Sequence, residues 1–256
     1  MEQHLLGRRI ISVWCSGKRL REPLPVRQLK SLQGDCFSSA TRRAKYLLLE
    51  LQSGNTLLVH LGMTGNLLFR DDRLLHDHVI LDLEGSPPLV FSDARRFGMI
   101  NLCTPAELEG NRYLQGLGVE PLSATFDVDY LKRFCKGRKR PIKNLLLDGR
   151  VVAGIGNIYA SEALFRAGIR PTIRVDRLSR NRLQELVTQI KAVLRQAIRK
   201  GGTTINDYLG SGDGGRFQQQ LAVYGRAGEN CRVCEQPIRS VTQAGRSSFY
   251  CSRCQK

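Results

Sequence analysis

Residues 154–168 have the sequence GIGNIYASEALFRAG, in which three glycines and Asn157 surround a predicted helix over 158–166. Glycines let a backbone approach a ligand closely, and the first turn of a helix offers unpaired N–H groups and the positive end of its dipole. The stretch lacks the Lys-Ser or Lys-Thr pair that binds a nucleotide and its magnesium ion. It therefore indicates a phosphate contact at Asn157, although an ordinary helix-capping turn has the same pattern.

The overall charge also points to a phosphate-rich partner. The 256 residues include 40 Lys and Arg against 23 Asp and Glu, which leaves a formal net charge of +17. Like charges repel one another, so such an excess is typical of proteins that bind nucleic acid and release its counterions. An anionic membrane surface is the weaker alternative, because no basic amphipathic helix stands out.

Several targeting classes are not expected from this sequence. No run of 18 apolar residues occurs, so no transmembrane helix is expected, and the first ten residues, MEQHLLGRRI, lack the apolar stretch of a signal peptide. We expect a cytoplasmic protein that does not act at a membrane.

Near the C-terminus, two CxxC pairs lie 16 residues apart, Cys231 with Cys234 and Cys251 with Cys254. This spacing is typical of one tetrahedral, structural zinc ion. So short a segment cannot bury a useful core, so the metal supplies its folding energy. Two disulfides are the alternative, which a reducing cytosol disfavours.

The segment between the two pairs is predicted to form a hairpin that carries Arg239 and Arg246. Arginines on a rigid hairpin suit phosphate binding, because the guanidinium donates several hydrogen bonds at once. Simple surface exposure is the alternative explanation. The other four cysteines are predicted to be small buried hydrophobes: Cys15, Cys36, Cys103 and Cys135.

The first 103 residues alternate short apolar segments with turn signals at 52–54 and 85–87. This pattern predicts an antiparallel β-sandwich or barrel. The predicted strands span 8–14, 45–51, 55–61, 78–84, 88–92 and 98–103.

Helical patterns begin near residue 105. The clearest helix spans Ser179–Lys200, where apolar residues recur at three- and four-residue spacing until Gly201 and Gly202 end it. Other helices are predicted over 105–115, over 127–135 and after Pro141, and the glycines and prolines of 116–125 predict a hinge. We therefore predict a multidomain α+β protein with a β-sandwich over 1–115, a helical domain over 116–223 and a zinc ribbon or hairpin over 224–256.

Five motifs in this order closely resemble the bacterial formamidopyrimidine-DNA glycosylase family, over nearly the whole chain. The resemblance implies excision of oxidised purines, such as 8-oxoguanine and formamidopyrimidines, from damaged double-stranded DNA by base flipping and a Schiff-base intermediate. A lyase step then cleaves the abasic strand by β,δ-elimination. It also implies a helix-two-turn-helix DNA-binding domain after the sandwich. The motifs are RRAKYLLLEL (42–51), HLGMTG (60–65), DARRFG (93–98), GIGNIYASEALFRAGIRP (154–171) and the cysteine tail that ends in CQK.

The resemblance assigns catalytic roles to Lys45 and Arg246. Lys45 would bind the phosphate of the lesion and assist elimination, and Arg246 would hold the phosphates of the flipped nucleotide. His76, Asn157 and Tyr224 match further phosphate contacts.

Met63, Arg95 and Phe97 match the residues that fill the gap left by the extruded base, with Arg95 facing the orphaned cytosine. Flipping a base costs a few kcal/mol, and side chains that enter the stack offset this cost. Taken singly, Met63 is equally suited to core packing, and Arg95 to a solvated surface position.

Three further assignments come from the resemblance. Lys143 corresponds to a residue near the base pocket, and residues 210–217, GSGDGGRF, correspond to a mobile loop that closes over the flipped base. The family has a basic residue where this chain has Gly137, and Arg138 or Lys136 is expected to replace that contact.

The family begins with Met-Pro-Glu-Leu-Pro-Glu, and the amine of its exposed proline attacks the sugar carbon while the glutamate handles protons. An α-amino group suits this role because its pKa lies near ~8. The printed sequence has no such Pro-Glu. We expect a start encoded upstream; a truncated product and a binder without glycosylase activity are the alternatives. The chain as printed is expected to bind abasic duplex but to excise poorly.

The resulting hypothesis is a monomeric base-excision repair enzyme of the bacterial cytoplasm that acts on the nucleoid. The first rival is a non-catalytic binder of damaged DNA. The second is a zinc-ribbon RNA-binding protein, which the low aromatic content of 7 percent disfavours, since single-strand binders use aromatic platforms. An oxidised-pyrimidine substrate is a third possibility, and the DARRFG motif favours purines.

Overall fold

The computed structural model describes residues 2–202 and 217–256. They form two compact units, one of residues 2–115 and one of 116–202 with 217–256. In the described ranges, no helix is both long and apolar enough to cross a membrane.

The first unit is a β-sandwich, as predicted. Its two antiparallel four-stranded sheets have the strand orders β1-β6-β7-β5 and β2-β3-β4-β8. The strands are β1 Ile10–Cys15, β2 Phe37–Arg43, β3 Tyr46–Leu51, β4 Thr56–His60, β5 Asn66–Phe69, β6 Asp77–Leu83, β7 Ser86–Ser92 and β8 Met99–Cys103.

Apolar side chains from both sheets form one core, because each strand turns alternate residues inwards. Phe37, Leu49 and Leu57 come from one sheet and Leu81 and Phe91 from the other, and each is at most 1 % exposed. Two short helices border this unit at the N-terminal side of the chain, α1 Glu2–Leu5 and α2 Val26–Lys30.

Two strands of this unit, β2 and β5, were not predicted, and one helix is shorter than predicted. β2 escaped notice because it is an edge strand of sequence FSSATRR, with little apolar content. The helix predicted over 105–115 is α3, Pro105–Glu109. Thr104 and Glu107 form a capping box at its start, and the chain leaves the helix at Gly110.

Four helices build the second unit around a separate core. They are α4 Val128–Cys135, α5 Ile142–Leu146, α6 Asn157–Arg166 and α7 Arg180–Arg199. As predicted, α7 buries a stripe of apolar residues, and the Ser179 side chain caps it by accepting from the Arg182 N–H at 3.4 Å. Burial raises the pKa of the Cys135 thiol to about 11, in agreement with its predicted place in a core.

The same unit contains the predicted cysteine hairpin, β9 Ile238–Gln243 and β10 Arg246–Cys251. Its two-residue turn, Ala244-Gly245, has positive φ at both positions, as the right-handed twist of a two-residue hairpin requires. Fully buried Gln255 attaches the hairpin to the helices, because its amide donates to the Ile169 carbonyl at 2.8 Å. The division into ranges 1–115, 116–223 and 224–256 stays a prediction.

Candidate nucleic-acid interface

In the helical unit, three of the predicted site residues lie around one backbone carbonyl, that of Ser247. The Lys143 ammonium donates to this oxygen at 2.9 Å, and the Asn157 side-chain amide donates to it at 3.0 Å. Arg246 is the preceding residue in the chain. We call Lys143, Asn157 and Arg246 the hairpin-tip cluster.

Lys143 is fully buried and also donates to the Ser248 hydroxyl at 2.7 Å. Burial, together with the nearby positive charge of Arg246, lowers the pKa of Lys143 from 10.5 to about 8. An amine with this pKa is partly neutral near physiological pH, so it can accept a proton or act as a nucleophile.

Asn157 is the first residue of α6, at the place that the glycine pattern predicts. Gly156 is the N-cap in extended conformation and supplies no side chain. The side-chain oxygen of Asn157 is buried without a hydrogen-bond partner in the described structure. Its amide is occupied by the hairpin, while the open N-terminus of α6 still offers backbone donors to an anion.

Arg246 is exposed immediately after the hairpin turn, where the strand geometry fixes its backbone. Its side chain lines a cavity of about 260 Å³ together with Arg140, Asn144 and Asp148. Arg140 donates to Asp148 at 3.1 Å, and the same carboxylate also pairs with Arg150 at 3.0 Å. Arg246 adds a further positive charge to the wall of this cavity.

Tyr224 lies beside the hairpin, with its ring packed edge-on against Phe249 at 5.1 Å between centroids. Its backbone is held by Glu162 of α6, a residue that the sequence analysis missed. The fully buried Glu162 carboxylate accepts from the N–H groups of Ala222, Val223 and Tyr224 at 2.8–3.0 Å. The available signal was an acid among the small and apolar residues Ala160, Ala163 and Leu164 of α6.

The four cysteine thiols form one cluster. All four sulfur atoms lie within 4.8 Å of one another, and the Cys231–Cys254 and Cys234–Cys251 separations are 3.9 and 3.4 Å. Four thiolates at about 2.3 Å from a zinc ion lie about 3.8 Å apart in a tetrahedron. The residues therefore fit one structural zinc ion, which would join the two ends of the hairpin.

Two loops of the sandwich unit carry the predicted gap-filling residues. We call Leu61–Gly65 the first wedge loop and Asp93–Gly98 the second. Met63 in the first is 65 % exposed and Phe97 in the second is 48 % exposed, so neither is a core residue. The Arg95 guanidinium lies 5.0 Å from the Phe97 ring centre.

Lys45 and His76 are both exposed in turns of the sandwich unit. Lys45 follows Ala44, which has φ +54° in the β2–β3 hairpin, so the lysine lies in the turn and not in the predicted strand. His60, at the end of β4, was missed. Burial and the charges of Arg21 and Lys45 lower its pKa, which places it in the electrostatic field of the predicted catalytic lysine.

Two assignments lie apart from these groups. Arg138 lies just after α4 and stacks on the Phe134 ring at 5.4 Å, in a run of exposed cations. A cavity of about 940 Å³ next to α4 is lined by Lys136, the alternative to Arg138, and by none of the other predicted site residues. Of residues 210–217, only Phe217 lies within the described residues, and it is buried.

Comparison with known proteins connects both units to one family. Three family models match in chain order: the formamidopyrimidine-DNA glycosylase N-terminal domain over 1–100, the formamidopyrimidine-DNA glycosylase H2TH domain over 117–208, and the zinc finger found in FPG and IleRS over 228–256. The formamidopyrimidine-DNA glycosylase of Dinoroseobacter shibae is 43 % identical over 271 residues, and that of Enterobacter sp. (strain 638) is 46 % identical over 260. Each alignment covers 100 % of this chain and 95 % of the relative.

Solved structures show the same similarity. The MutM (Fpg) protein of Thermus thermophilus is 36 % identical with a TM-score of 0.88, covering 99 % of this chain and 94 % of that one. The Lactococcus lactis Fpg in complex with DNA containing an abasic site is 31 % identical with a TM-score of 0.90, covering 100 % and 95 %.

Proposed function

Because the chain belongs to the formamidopyrimidine-DNA glycosylase family, we propose that it is a base-excision repair glycosylase and abasic-site lyase that removes oxidised purines from duplex DNA. The observation that carries this proposal is the match of three consecutive domain families over 1–100, 117–208 and 228–256, with relatives 43–46 % identical across the chain. Relatives of known structure have been captured with DNA that contains an abasic site or a carbocyclic 8-oxo-G.

In this function, the hairpin-tip cluster binds the sugar-phosphate chain next to the flipped nucleotide. Arg246 and the N-terminus of α6 supply donors for phosphate oxygens, and Tyr224 extends this surface. Lys143 holds the hairpin tip against α5, and its lowered pKa suits it to move a proton near the base pocket.

The sandwich unit supplies the remaining contacts. Lys45 binds the phosphate of the lesion and assists elimination, and His76 binds a neighbouring phosphate. Met63, Arg95 and Phe97 fill the gap in the base stack, which their exposure on adjoining loops supports. Arg138 adds a contact with the flanking duplex from the basic run after α4.

The single zinc ion has a structural role and takes no part in catalysis. Four cysteines occupy its whole tetrahedral shell, so no open position is left for a water or a substrate. Its role is to hold the hairpin rigid, so that Arg246 keeps its place beside Asn157.

We also propose that the protein acts as a monomer in the bacterial cytoplasm, where the nucleoid supplies its substrate. The bacterial sources of the similar proteins support this location. Sedimentation tests this oligomeric state. We expect the mass of one chain for the free protein and of one chain per duplex in the presence of a short lesion duplex.

The function is tested with protein purified from its native host and a duplex that carries 8-oxoguanine opposite cytosine. We expect release of the free base, strand cleavage, and a covalent adduct after borohydride reduction of the imine. A duplex with guanine at the same position is the control. Lack of both base release and adduct would contradict the enzymatic proposal.

Binding measurements separate the two rivals from this function. A damage binder without catalysis would prefer abasic duplex to intact duplex and yield no adduct. A zinc-ribbon RNA-binding protein would prefer single-stranded RNA and would bind abasic and intact duplex equally.

A further inference from the structure

The two wedge loops share one buried carboxylate, that of Asp93, which is 1 % exposed. One oxygen accepts from the Thr64 hydroxyl in the first wedge loop at 2.5 Å. The other accepts from the Gly98 N–H at the end of the second wedge loop at 2.6 Å. The carboxylate therefore connects a loop that presents Met63 to a loop that presents Phe97.

Additional hydrogen bonds connect Asp93 and Thr64 to the neighbouring backbone. The Thr64 hydroxyl also accepts from the Arg95 N–H at 3.2 Å, so Thr64 contacts the second loop twice. The Asp93 backbone is fixed next to β6, since its N–H donates at 2.9 Å to the carbonyl of His76, the residue before β6, and its carbonyl lies 3.0 Å from the His78 ring nitrogen Nε2. Asp93 is thus anchored beside β6, and its carboxylate contacts both loops.

The two wedge loops approach each other so closely that there is no room for an additional atom between their backbones. A Cβ atom at Gly62 would lie 2.6 Å from the Phe97 carbonyl carbon and 2.7 Å from the Gly98 nitrogen. Arg96 has φ +57°, a left-handed conformation that a non-glycine residue keeps only where its surroundings enforce it.

We propose that Asp93 is a positioning residue for lesion recognition, whose carboxylate fixes the spacing of Met63 and Phe97 so that both enter one interrupted base stack. This inference rests on the proposed function, since it assumes that the wedge loops meet DNA. Bases along a strand are about 3.4 Å apart, so a shift of about 1 Å in either loop removes much of the fit. Met63 and Phe97 are themselves largely exposed, so burial of their own side chains does not fix them in place.

A carboxylate suits both partners because it can accept a hydrogen bond at each oxygen. The Thr64 hydroxyl and the Gly98 N–H are both directed at it as donors, and a carboxylate accepts at both oxygens. An asparagine offers one acceptor and one donor group, so one of the two bonds is lost or reversed. Asp93→Asn therefore loosens one loop while keeping the volume of the side chain.

The test uses a duplex with a tetrahydrofuran abasic analogue, which needs no chemistry, and 2-aminopurine as the neighbouring base. In the wild type, entry of the wedge unstacks 2-aminopurine and raises its fluorescence. For Asp93→Asn and Thr64→Val we expect a smaller fluorescence rise and a preference for abasic over intact duplex that falls by roughly tenfold. Affinity for the intact duplex should stay within about twofold, since phosphate contacts dominate there.

Two further variants serve as matched controls. Thr64→Ser keeps the hydroxyl and should restore wild-type preference. Asp35→Asn changes another carboxylate of the sandwich unit, one that accepts from the Cys36 and Ser53 N–H groups and contacts neither wedge loop. It should behave as the wild type in both measurements.

The outcomes separate this inference from the proposed function. Wild-type fluorescence and preference in both Asp93→Asn and Thr64→Val would overturn the positioning role alone, and so would an equal loss of affinity for abasic and intact duplex. If Asp93→Asn does not fold, as thermal melting would show, the comparison of Thr64→Val with Thr64→Ser decides the question. A wild-type protein without lesion preference would instead contradict the proposed function.

Discussion

Lys143 places a positive charge in the protein interior, where desolvation makes that charge unfavourable. Its ammonium is fully buried, and its only described hydrogen bonds are to the Ser247 carbonyl and the Ser248 hydroxyl, both uncharged. Burial penalises a charge unless a partner compensates for it, and the neighbouring Arg246 increases the penalty. The folded protein therefore releases the Lys143 proton more readily than the unfolded chain does.

A pH dependence of stability follows from this shift. The pKa of Lys143 is about 8 in the folded state and 10.5 ordinarily, so between these values the unfolded chain binds the extra proton. Relative to Lys143→Met, the wild-type free energy of unfolding should then rise from pH 8 to pH 10.5, by roughly 1 to 3 kcal/mol. Urea unfolding of both proteins across this range measures the difference.

Lys132→Met is the control, because it removes an exposed ammonium from α4 in place of a buried one. Its stability difference from the wild type should change less with pH than that of Lys143→Met. A constant difference for Lys143→Met over the same range would show that the amine is not desolvated as described.

At this scale the sequence indicated where residues lie at the ends of elements better than it indicated interior contacts. Asn157 and Arg246 lie where the motifs place them, at a helix start and a hairpin tip. Glu162 was missed because its partners are backbone N–H groups from a distant segment, and Asp93 because one of its two partners is the hydroxyl of the distant Thr64, which no local pattern reports. The sequence alone does not distinguish a buried carboxylate from a solvent-exposed one.

Among the elements, the cysteine hairpin depends most directly on its ligand. Its described core is small, formed by Val223, Ile238 and two of the cysteines, with a few partly buried neighbours. Such a core cannot offset the conformational entropy of some 25 residues, so zinc binding supplies most of the folding free energy.

Removal of zinc by a strong chelator under reducing conditions should unfold the hairpin and leave the sandwich unit folded. Metal analysis should find one zinc per chain before treatment, and hydrogen exchange should then increase in β9 and β10 but not in β3 and β4. Binding of abasic duplex should weaken by roughly tenfold or more, because Arg246 loses its fixed position.

Cys251→Ser should reproduce the effect of the chelator, and Cys135→Ser is its matched control. Cys135 is a buried cysteine of the helical core outside the metal cluster, so this variant should retain zinc and wild-type DNA binding. Retention of zinc and of β9–β10 protection in Cys251→Ser would exclude a four-cysteine site.

Elements whose apolar residues recur at a regular spacing could be predicted from the sequence. Elements that form because they pair with another strand could not. The helix α7 agrees with its predicted span to within a residue at each end, because its stripe and its serine cap are local signals. The edge strand β2 has a polar sequence and forms because it pairs with β3, in one register from Ser39 to Arg43 and with a shift between Phe37 and Ser39. The chain beyond Glu109 is not helical because Gly110 and Asn111 follow directly.

The net charge of +17 affects the whole molecule as it associates with DNA. Counterion release makes the logarithm of the binding constant fall linearly with the logarithm of salt, by about 0.9 for each phosphate neutralised. Arg246→Ala and Lys45→Ala should each reduce the magnitude of this slope by about 0.9 on an abasic duplex, if each neutralises one phosphate.

Arg27→Ala removes the same charge from the exposed face of α2, where no contact with DNA is proposed. The salt dependence of its binding constant should equal that of the wild type. Its affinity at low salt then measures the effect of losing one positive charge from the overall electrostatic field. An equal reduction of the slope in all three variants would mean that binding depends on net charge and not on placed contacts.

The sulfur cluster has a physiological consequence. Oxidants that convert guanine into its 8-oxo form also attack thiolates, and the zinc ligands Cys234 and Cys254 are only partly shielded from solvent. Sulfenic acid at either position would expel the ion and destabilise the hairpin that positions Arg246. Oxidative stress would thus create the damage and, above some dose, inactivate the machinery that removes it.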